Sequence, residues 1–388
     1  MVQTKEILLS APVLRGREWE YVKECLDTAW ISTAGSFVNR FEDAVCALTG
    51  AKHAVACVNG TAALHIALIL ADVKPGDEVI VPTVTFIATV NAVHYVGAHP
   101  VFMDCDGFYN MDAGKTIRFI EQETMLKDGV CVNKSTGRRI KAIIPVHVFG
   151  SAADISSLKK LCDKSMIMMI EDATESLGTH YTDGELKGRH TGTIGAVGCY
   201  SFNGNKLISC GGGGMIVTDD QNLADRARYL TTQAKDDGVR FIHHEVGYNY
   251  RLTNIQAALG LAQIEQIGDF IAAKKHNYGL YCRQFESVPG FRLASTPQYA
   301  DNNHWLYALQ IEHAAEGAVD KWVEKCRQQG IQTRPLWYLN HLQKPNRSCQ
   351  TFCIEKAMEL WLSTITLPCS VDLREDQIAR IVEVFRRG

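Results

Sequence analysis

Short apolar runs alternate with helical segments between residues 54 and 218, and this alternation restricts the fold more than any other feature of the chain. The runs predict strands at 54–58, 78–82, 100–104, 142–148, 165–171, 197–202 and 215–218. The stretches before and between them predict helices at 17–30, 37–48, 60–71, 86–96, 153–163 and 220–232. Apolar strands separated by helices are typical of a mainly parallel sheet covered on both faces. We therefore predict an α/β fold with a mainly parallel, seven-stranded central sheet.

The pattern changes after residue 218. A long helix is predicted from Thr253, because Thr253-Asn-Ile-Gln256 has the spacing of a capping box and an apolar stripe continues to Ile267. Beyond about residue 290 the sequence predicts a mixture of strands and helices, at 304–311, 318–329, 350–360 and 374–386. We therefore predict a large domain over residues 1–255, and a long connecting helix with a smaller α+β domain over residues 256–388.

Charge and composition exclude several classes of function. A net charge of −3 gives no indication of a nucleic-acid or anionic-membrane partner. The thirteen cysteines have no repeating spacing and no C-x-x-C pair, so we expect neither a metal site nor a disulfide framework, and a reducing compartment is the simplest one. We see no signal peptide and no run near the roughly 18 apolar residues of a membrane span. These features predict a cytoplasmic protein with no nucleic-acid or membrane partner.

Lys206 stands between the apolar run 194–202 and four consecutive glycines, 211–214. Lysines usually lie on solvated surfaces. Here, however, the glycines lack Cβ atoms, so the backbone can bend sharply and let a ligand approach closely. Upstream, Asp172 follows the apolar run 166–170. A lysine amine and a buried aspartate are the groups that a pyridoxal phosphate enzyme needs, the amine to carry the cofactor and the carboxylate to pair with its pyridine nitrogen.

Other polar residues also follow predicted strands. Because the carboxyl ends of parallel strands meet at one edge of a sheet, these residues should be mutually accessible. They are Asn59, the stretch 83–86, Asp104, His147 and Asp172. The segment Gly60-Thr-Ala-Ala63 opens a helix whose free N–H groups suit a phosphate, although many such helix starts bind nothing.

Three of the candidates have two interpretations each. Asp172 is either the partner of a protonated ring nitrogen or a helix N-cap. Phe86 either packs in the core or stacks on a flat cofactor ring. Ser201 is either a solvated turn residue or a hydroxyl donor to a phosphate beside Lys206.

Three motifs, in this order, resemble the DegT/DnrJ/EryC1/StrS family of nucleotide-sugar aminotransferases. They are Asp172-Ala-Thr-Glu175, Ser201-Phe-Asn-Gly-Asn-Lys206 with its glycines, and Gly247-Tyr-Asn-Tyr-Arg-Leu-Thr-Asn-Ile-Gln-Ala-Ala258. The resemblance extends from Trp30-Ile-Ser-Thr33 to Leu367-Pro368. It implies the pyridoxal phosphate-dependent transferase fold type I, and a homodimer with shared active sites at the subunit interface.

The resemblance also implies a role for each candidate residue. Lys206 would be the catalytic residue that carries the cofactor, Asp172 would pair with the ring nitrogen, and Glu175 would lie near the ring hydroxyl. The phosphate ligands would be Thr61, Ala62 and Ser201, Phe86 would stack on the ring, and Asn249 would come from the neighbouring subunit. Substrate contacts are implied at Ser32, Arg251 and Arg334; the two arginines are candidate partners for the diphosphate, or else solvated surface residues.

The segments 231–237, 244–251 and 333–337 resemble a narrower branch, which aminates UDP-2-acetamido-2,6-dideoxy-4-keto-hexose on the way to bacillosamine or legionaminic acid. The implied reaction moves an amino group from L-glutamate to C4 of that sugar. GDP-perosamine synthases are near relatives and supply an alternative substrate. A sugar dehydratase on the same cofactor is a second alternative, but relatives of that kind have lost the lysine that is present here as Lys206. A dinucleotide oxidoreductase is disfavoured, because no G-x-G-x-x-G precedes a helix.

Overall fold

The computed structural model describes residues 6–387; residues 1–5 and Gly388, at the outer ends of the two predicted domains, lie outside the described residues. The helices are α1 (Glu18–Asp27), α2 (Ser36–Thr49), α3 (Gly60–Leu70), α4 (Ile87–Tyr95), α5 (Ala113–Glu123), α6 (Ser156–Lys164), α7 (Gln221–Thr231), α8 (Asn254–Ile264), α9 (Ile267–Phe285), α10 (Ala318–Gln328), α11 (Lys356–Ser363) and α12 (Glu375–Arg386). The strands are β1 (His53–Cys57), β2 (Glu78–Pro82), β3 (His99–Met103), β4 (Thr124–Lys127), β5 (Val130–Asn133), β6 (Ile140–Ile143), β7 (Met168–Asp172), β8 (His180–Tyr181), β9 (Val197–Ser201), β10 (Gly214–Thr218), β11 (Phe291–Leu293), β12 (Ala300–Asp301), β13 (Tyr307–Ile311), β14 (Arg334–Pro335), β15 (Thr351–Phe352) and β16 (Thr364–Leu367).

The central sheet has the strand order β1-β10-β9-β7-β6-β2-β3-β15. Strands β9, β7, β6, β2, β3 and β15 pair in parallel, and β10 runs antiparallel to both of its neighbours. All seven strands predicted from the sequence lie in this sheet. The eighth, β15, is a two-residue edge strand in a segment predicted to be helical, and the helix itself begins only at Lys356.

Side chains of the central strands are buried on both faces of the sheet. Val79 and Ile170 pack in one core with α3, α4 and α7. Their neighbours Ile80 and Met169 point the other way, into a core with α5 and α6. Because side chains alternate along a strand, double-sided burial of this kind needs helices on both faces. The predicted α/β fold is therefore confirmed.

A second, antiparallel sheet has the order β11-β13-β16-β14. It packs against α9, α10 and α12 through a core that includes Tyr281, Trp322 and Phe385. Helix α8, by contrast, packs with α1 and α2 on the central sheet, where Leu261 lies in one core with Phe41. The predicted domain boundary between residues 255 and 256 stays a prediction. Within residues 6–387, no helix combines the length and the apolar character needed to cross a bilayer.

The predicted long helix is in fact two helices, α8 and α9. The Thr253 hydroxyl accepts the N–H of Gln256 and caps α8, as predicted. The Gln256 side chain does not complete the capping box; it donates to the carbonyl of Gly212 at 2.9 Å. The break falls at Glu265 and Gln266, which bond to Tyr21 and Glu18 at α1. These contacts with α1 give a physical reason for the turn between the two helices.

Candidate active site

A cavity of about 710 Å³ opens at the carboxyl ends of β9, β7, β2 and β1. Ser201, Asp172, Phe86 and Thr61 line it from those four strand ends. Residues of β14 and the segment after it also line the cavity, including Arg334. In open α/β sheets ligands bind at this edge, so the cavity has the position expected for an active site.

Lys206 follows β9 in a tight turn, in which its N–H donates to the carbonyl of Asn203. Its side chain is only 12 % exposed, and Nζ lies 3.7 Å from Oε1 of Glu175. Burial lowers the pKa of Lys206, and the carboxylates of Glu175 and Asp172 act in the opposite direction. A lysine with a lowered pKa has a larger neutral fraction, which is the form that attacks a carbonyl carbon or accepts a proton.

Asp172 is the buried last residue of β7. Its Oδ2 accepts the Thr89 hydroxyl of α4 at 2.6 Å, and its Oδ1 accepts the N–H of Thr174 at 3.1 Å. The chain continues from Asp172 into turns, and no helix of the described residues begins there, so the N-cap interpretation is wrong. The carboxylate is instead held between β7 and α4 at the wall of the cavity.

Glu175 reaches the same cavity from the turn after β7, not from a helix. Its Oε2 accepts the N–H of Phe149 at 2.8 Å. Phe149 has a φ of +58°, a conformation that a bulky residue rarely adopts. Burial raises the pKa of Glu175 to about 7, although Lys206 opposes this effect. Near neutral pH this carboxyl can therefore either hold or release a proton beside the lysine.

The start of α3 is a candidate anion site, at the end of the cavity nearest β1. Asn59 caps the helix by accepting the N–H of Ala62 at 2.8 Å. The N–H groups of Gly60 and Thr61 have no partner among residues 6–387. Ser201 lies against this turn. A Cβ added to Gly60 would come within 2.9 Å of the Cβ of Ser201. Free N–H groups at a helix N-terminus, with two hydroxyls beside them, suit a phosphate.

These groups fit pyridoxal phosphate. The helix start with Thr61 and Ser201 would hold the phosphate, Asp172 would hold the ring nitrogen, and Lys206 would provide the amine. Ala62, predicted as a phosphate ligand, is buried outside the cavity lining, and its N–H is already used by Asn59.

The glycine run has a different role from the one predicted. None of the residues 211–214 lines the cavity. At Gly214 an added Cβ would lie 2.5 Å from the carbonyl carbon of Asn59, so the missing side chain lets β10 pass directly against the start of α3. Gly214 therefore permits a close approach of two backbone segments, not of backbone and ligand.

Phe86 is 54 % exposed and lines the cavity, which excludes its packing in the core. Its ring lies 6.3 Å from that of Trp337, which in turn lies 5.1 Å from Phe149. The sequence analysis gave no site role to Trp337, Thr89 or Trp305. The sequence around Trp337 and Thr89 does contain features that could have indicated such a role. Trp337 belongs to one of the quoted segments, and Thr89 is three residues after Phe86, on the same side of a helix. The sequence around Trp305 contains no such feature.

Three predicted residues lie away from the cavity of this chain. Asn249 is exposed and pairs with Thr232 in an isolated bridge. Ser32 is also exposed, and its carbonyl accepts the N–H of Asn254. Arg251 pairs with Cys57, and its buried Nε has no hydrogen-bond partner among the residues that the structure describes.

Two of the strand-end candidates are structural. The carboxylate of Asp104 accepts three N–H groups at the start of α11 and an ammonium hydrogen bond from Lys115. His147 is paired with Glu171 at 2.9 Å, and both side chains are fully buried. Neither residue lines the cavity, so the strand ends are not all mutually accessible.

Comparison with known proteins supports the family resemblance of the three sequence motifs. The model of the DegT/DnrJ/EryC1/StrS aminotransferase family matches residues 12–386. A GDP-perosamine synthase of Caulobacter vibrioides is 36% identical over 385 residues, covering 98% of each chain. A putative pyridoxal phosphate-dependent aminotransferase of Bacillus subtilis, EpsN, is 35% identical over 388 residues, covering 98% of this chain and 95% of its own. A crystal structure of a DegT DnrJ EryC1 StrS aminotransferase from Brucella abortus, 27% identical, superimposes with a TM-score of 0.85, covering 96% of this chain and 95% of its own.

Proposed function

This chain belongs to the DegT/DnrJ/EryC1/StrS aminotransferase family, and from that premise we propose that it moves an amino group from L-glutamate to C4 of a nucleotide-linked 4-keto-6-deoxy sugar. It is a pyridoxal phosphate-dependent sugar aminotransferase. One observation carries the assignment of the site: the Lys206 amine stands beside the Glu175 carboxylate, in a cavity that Asp172 and the free N–H groups of α3 also reach.

Each residue of the cavity has a separate role in the proposed reaction. Pyridoxal phosphate, when bound, accepts the amino group and stabilises negative charge on the adjacent carbon. Lys206 Nζ takes a proton from the α carbon of the donor and later delivers a proton to C4 of the sugar. Asp172, held by Thr89, keeps a negative charge where a protonated ring nitrogen needs it. Because Lys206 approaches from one side of the cavity, it would set the stereochemistry at C4.

We propose UDP-2-acetamido-2,6-dideoxy-4-keto-hexose as the sugar substrate. The likeness of the segments 231–237, 244–251 and 333–337 to the bacillosamine and legionaminic acid branch supports this choice. Trp337, which lines the cavity beside Phe86, also supports it, since an apolar surface suits the methyl group of an acetamido substituent. Arg334, on the same side as Trp337, is the proposed partner of the diphosphate.

A GDP-linked keto sugar is the second candidate. Two relatives named GDP-perosamine synthase, from Caulobacter vibrioides and Escherichia coli O157:H7, are each 36% identical and cover 98% of this chain. That name favours a guanosine nucleotide and a hydroxyl in place of the acetamido group. The reaction at C4 is the same for both candidates.

We also propose a homodimer with shared active sites, acting in the cytoplasm. Val239, Phe241 and Val246 are 88%, 68% and 77% exposed, and they lie just before the family motif that begins at Gly247. A cluster of exposed apolar side chains of this kind supports a protein partner, here a second copy of the chain.

The substrate is tested by offering UDP- and GDP-linked 4-keto sugars, with and without the 2-acetamido group, together with L-glutamate. We expect an amino-sugar product by mass spectrometry and the highest kcat/KM for the UDP-linked acetamido sugar. A clear preference for the GDP-linked sugar would refute the UDP assignment. A dehydrated product without added nitrogen would instead indicate a lyase.

The assignment of Lys206 has its own test. Borohydride reduction of the holoenzyme, followed by peptide mapping, should place the pyridoxyl group on Lys206, and Lys206→Ala should give no labelled peptide. Labelling of another lysine would overturn the assignment, whichever sugar is used.

A further inference from the structure

Trp305 faces the amine of Lys206 and is fixed on several sides. Nζ of Lys206 lies 3.9 Å from the centroid of its ring. The indole Nε1–H donates to the carbonyl of Asn205 at 2.7 Å, beside the lysine itself. The Trp305 carbonyl accepts Nζ of Lys274 at 2.7 Å, and Lys274 is a buried lysine of α9 that reaches no carboxylate among the described residues. The ring therefore has little freedom to move away from Lys206.

One buried amide ties Trp305 to Glu175. The Oδ1 of Asn303 accepts the N–H of Trp305 at 2.9 Å. Its Nδ2 donates to the carbonyls of Glu175 and Leu177, both at 3.0 Å. The aromatic face and the carboxylate, which both contact the lysine amine, are thus positioned by a single side chain. If Trp305 contacted Lys206 only through close packing, no side chain such as Asn303 would be needed to hold Trp305 and Glu175 together.

We infer that Trp305 and Glu175 form a seat for the protonated Nζ of Lys206 while that amine is not bonded to the cofactor, and that Trp305 is therefore a catalytic residue. The inference rests on the proposed function, because it takes Lys206 as the reacting lysine. An indole face attracts an ammonium group more strongly than any other aromatic side chain. The Glu175 side chain, when it is ionised, adds a second attraction, with Oε1 3.7 Å from Nζ.

The seat acts on a proton that the lysine carries between two carbon atoms. The lone pair of Nζ forms an N–H bond to the proton removed from the α carbon of the donor, and Nζ becomes an ammonium. That N–H bond breaks, and the lone pair returns to Nζ, when the proton is given up to the cofactor in the first half of the reaction. In the second half Nζ would take a proton back from the cofactor and pass it to C4 of the sugar. Because the ring and the carboxylate stabilise the ammonium, the proton stays on Nζ during each of these transfers and does not pass to solvent.

The charged groups around Lys206 determine what the loss of the ring should do. Glu175 and Asp172 favour the ammonium, whereas burial favours the neutral amine. Arg334 lines the same cavity, and Lys274 reaches the carbonyl of Trp305. None of these charged groups changes when the ring is replaced. Leucine or methionine at residue 305 would leave an apolar side chain beside Nζ, so we expect the loss of the cation–π attraction to outweigh the smaller loss of burial, which acts to raise the pKa of Lys206. The pKa of Lys206 should then fall, by about one unit for a partly desolvated cation–π contact.

The experiment uses the full-length enzyme loaded with pyridoxamine phosphate, the form in which the lysine amine is free. Competitive acetylation by acetic anhydride across a pH series, read by peptide mass spectrometry, gives the pKa of Lys206. Lys187, which is exposed and outside the cavity, serves as the reference in the same sample. Trp305→Phe and Trp305→Leu both lose the hydrogen bond to Asn205, so the difference between them reports the ring face alone.

We expect the pKa of Lys206 to be highest in the wild type, intermediate in Trp305→Phe and lowest in Trp305→Leu, with Trp305→Met as a second ringless variant should the leucine variant not fold. An unchanged pKa in a folded ringless variant overturns the inference. If that result is found while borohydride still labels Lys206, the proposed function stands and only the seat fails. If borohydride labels another lysine, the site assignment itself fails.

Discussion

Asp172 is a buried carboxylate whose two oxygens are held by different parts of the chain. Its Oδ2 accepts a 2.6 Å hydrogen bond from Thr89, which belongs to a different element, α4. Its Oδ1 is used locally, by the N–H of Thr174. The two oxygens therefore have different roles. The hydrogen bond from Thr174 stabilises the turn, and the hydrogen bond from Thr89 fixes the carboxylate at the cavity wall.

Asp172→Asn separates charge from shape. We expect the variant to bind the cofactor, because Lys206 and the start of α3 are unchanged, and to lose turnover by on the order of 100-fold, since a neutral amide cannot stabilise a positive ring nitrogen. Absorbance titration measures binding, and kcat measures turnover. Thr89→Val is the matched control; it keeps the charge and removes one hydrogen bond, so about tenfold or less should be lost. Near-normal turnover in Asp172→Asn would leave this aspartate as a turn residue only.

At the scale of single residues, the local sequence predicted those site candidates that follow an apolar strand. Lys206 and Asp172 each follow an apolar strand, and Phe86 follows another, so the strand pattern alone places them at one edge. Trp305 could not be found in this way, because it meets Asn205 from 100 residues away along the chain. Only the packing of the second sheet on the first brings it to Lys206.

The contact between β10 and α3 positions the anion site at the level of elements. Strand β10 is antiparallel to β1, and its first residue, Gly214, pairs with Cys57, two residues before the helix cap Asn59. The strand therefore crosses the turn whose N–H groups at Gly60 and Thr61 have no partner within residues 6–387. Any side chain at residue 214 would press on that turn.

Gly214→Ala tests this contact. The new Cβ would lie 2.5 Å from the carbonyl carbon of Asn59, so either β10 or the first turn of α3 must move. We expect weaker cofactor binding and a loss of about 1–3 kcal/mol in the free energy of unfolding. Fluorescence titration and thermal unfolding measure the two effects. Gly212→Ala is the control, because its Cβ would make only an ordinary 3.5 Å contact with Gln256. Wild-type affinity and stability in Gly214→Ala would contradict the proposed role of the glycine.

The elements themselves were predicted best where burial is most complete. The central strands are apolar on both faces, and all seven were found. The segment from residue 253 also looked like one helix, because its apolar stripe continues through Ile264 and Ile267. The turn between them depends on contacts with α1, about 245 residues away, which no local pattern reveals. The hairpin of β4 and β5 was missed for a different reason: three of the four residues of β4 are exposed, so it lacks the burial that marks a strand.

On the scale of the whole molecule, a single chain does not bring all of the predicted site residues to the cavity. Asn249 and Arg251 belong to the motif shared with the family, yet neither lines the cavity around Lys206 in the same chain. The segment that carries Asn249 pairs with Thr232 and follows the exposed side chains Val239, Phe241 and Val246. In a two-fold dimer the same patch meets its own copy, so each subunit would lend this segment to the other.

Complementation between two inactive variants tests the shared site. Lys206→Ala removes the reacting amine, and Asn249→Ala removes the residue proposed to reach the neighbour's phosphate, so each homodimer should be inactive or weak. In a mixed dimer with shared sites, one site collects both defects and the other collects none. Activity should therefore reappear when the variants are co-expressed or are unfolded and remixed, approaching one intact site for each mixed dimer. Differently tagged chains allow the mixed dimers to be isolated before assay. If isolated heterodimers are no more active than the separate variants, Asn249 serves its own subunit and each cavity is complete within one chain.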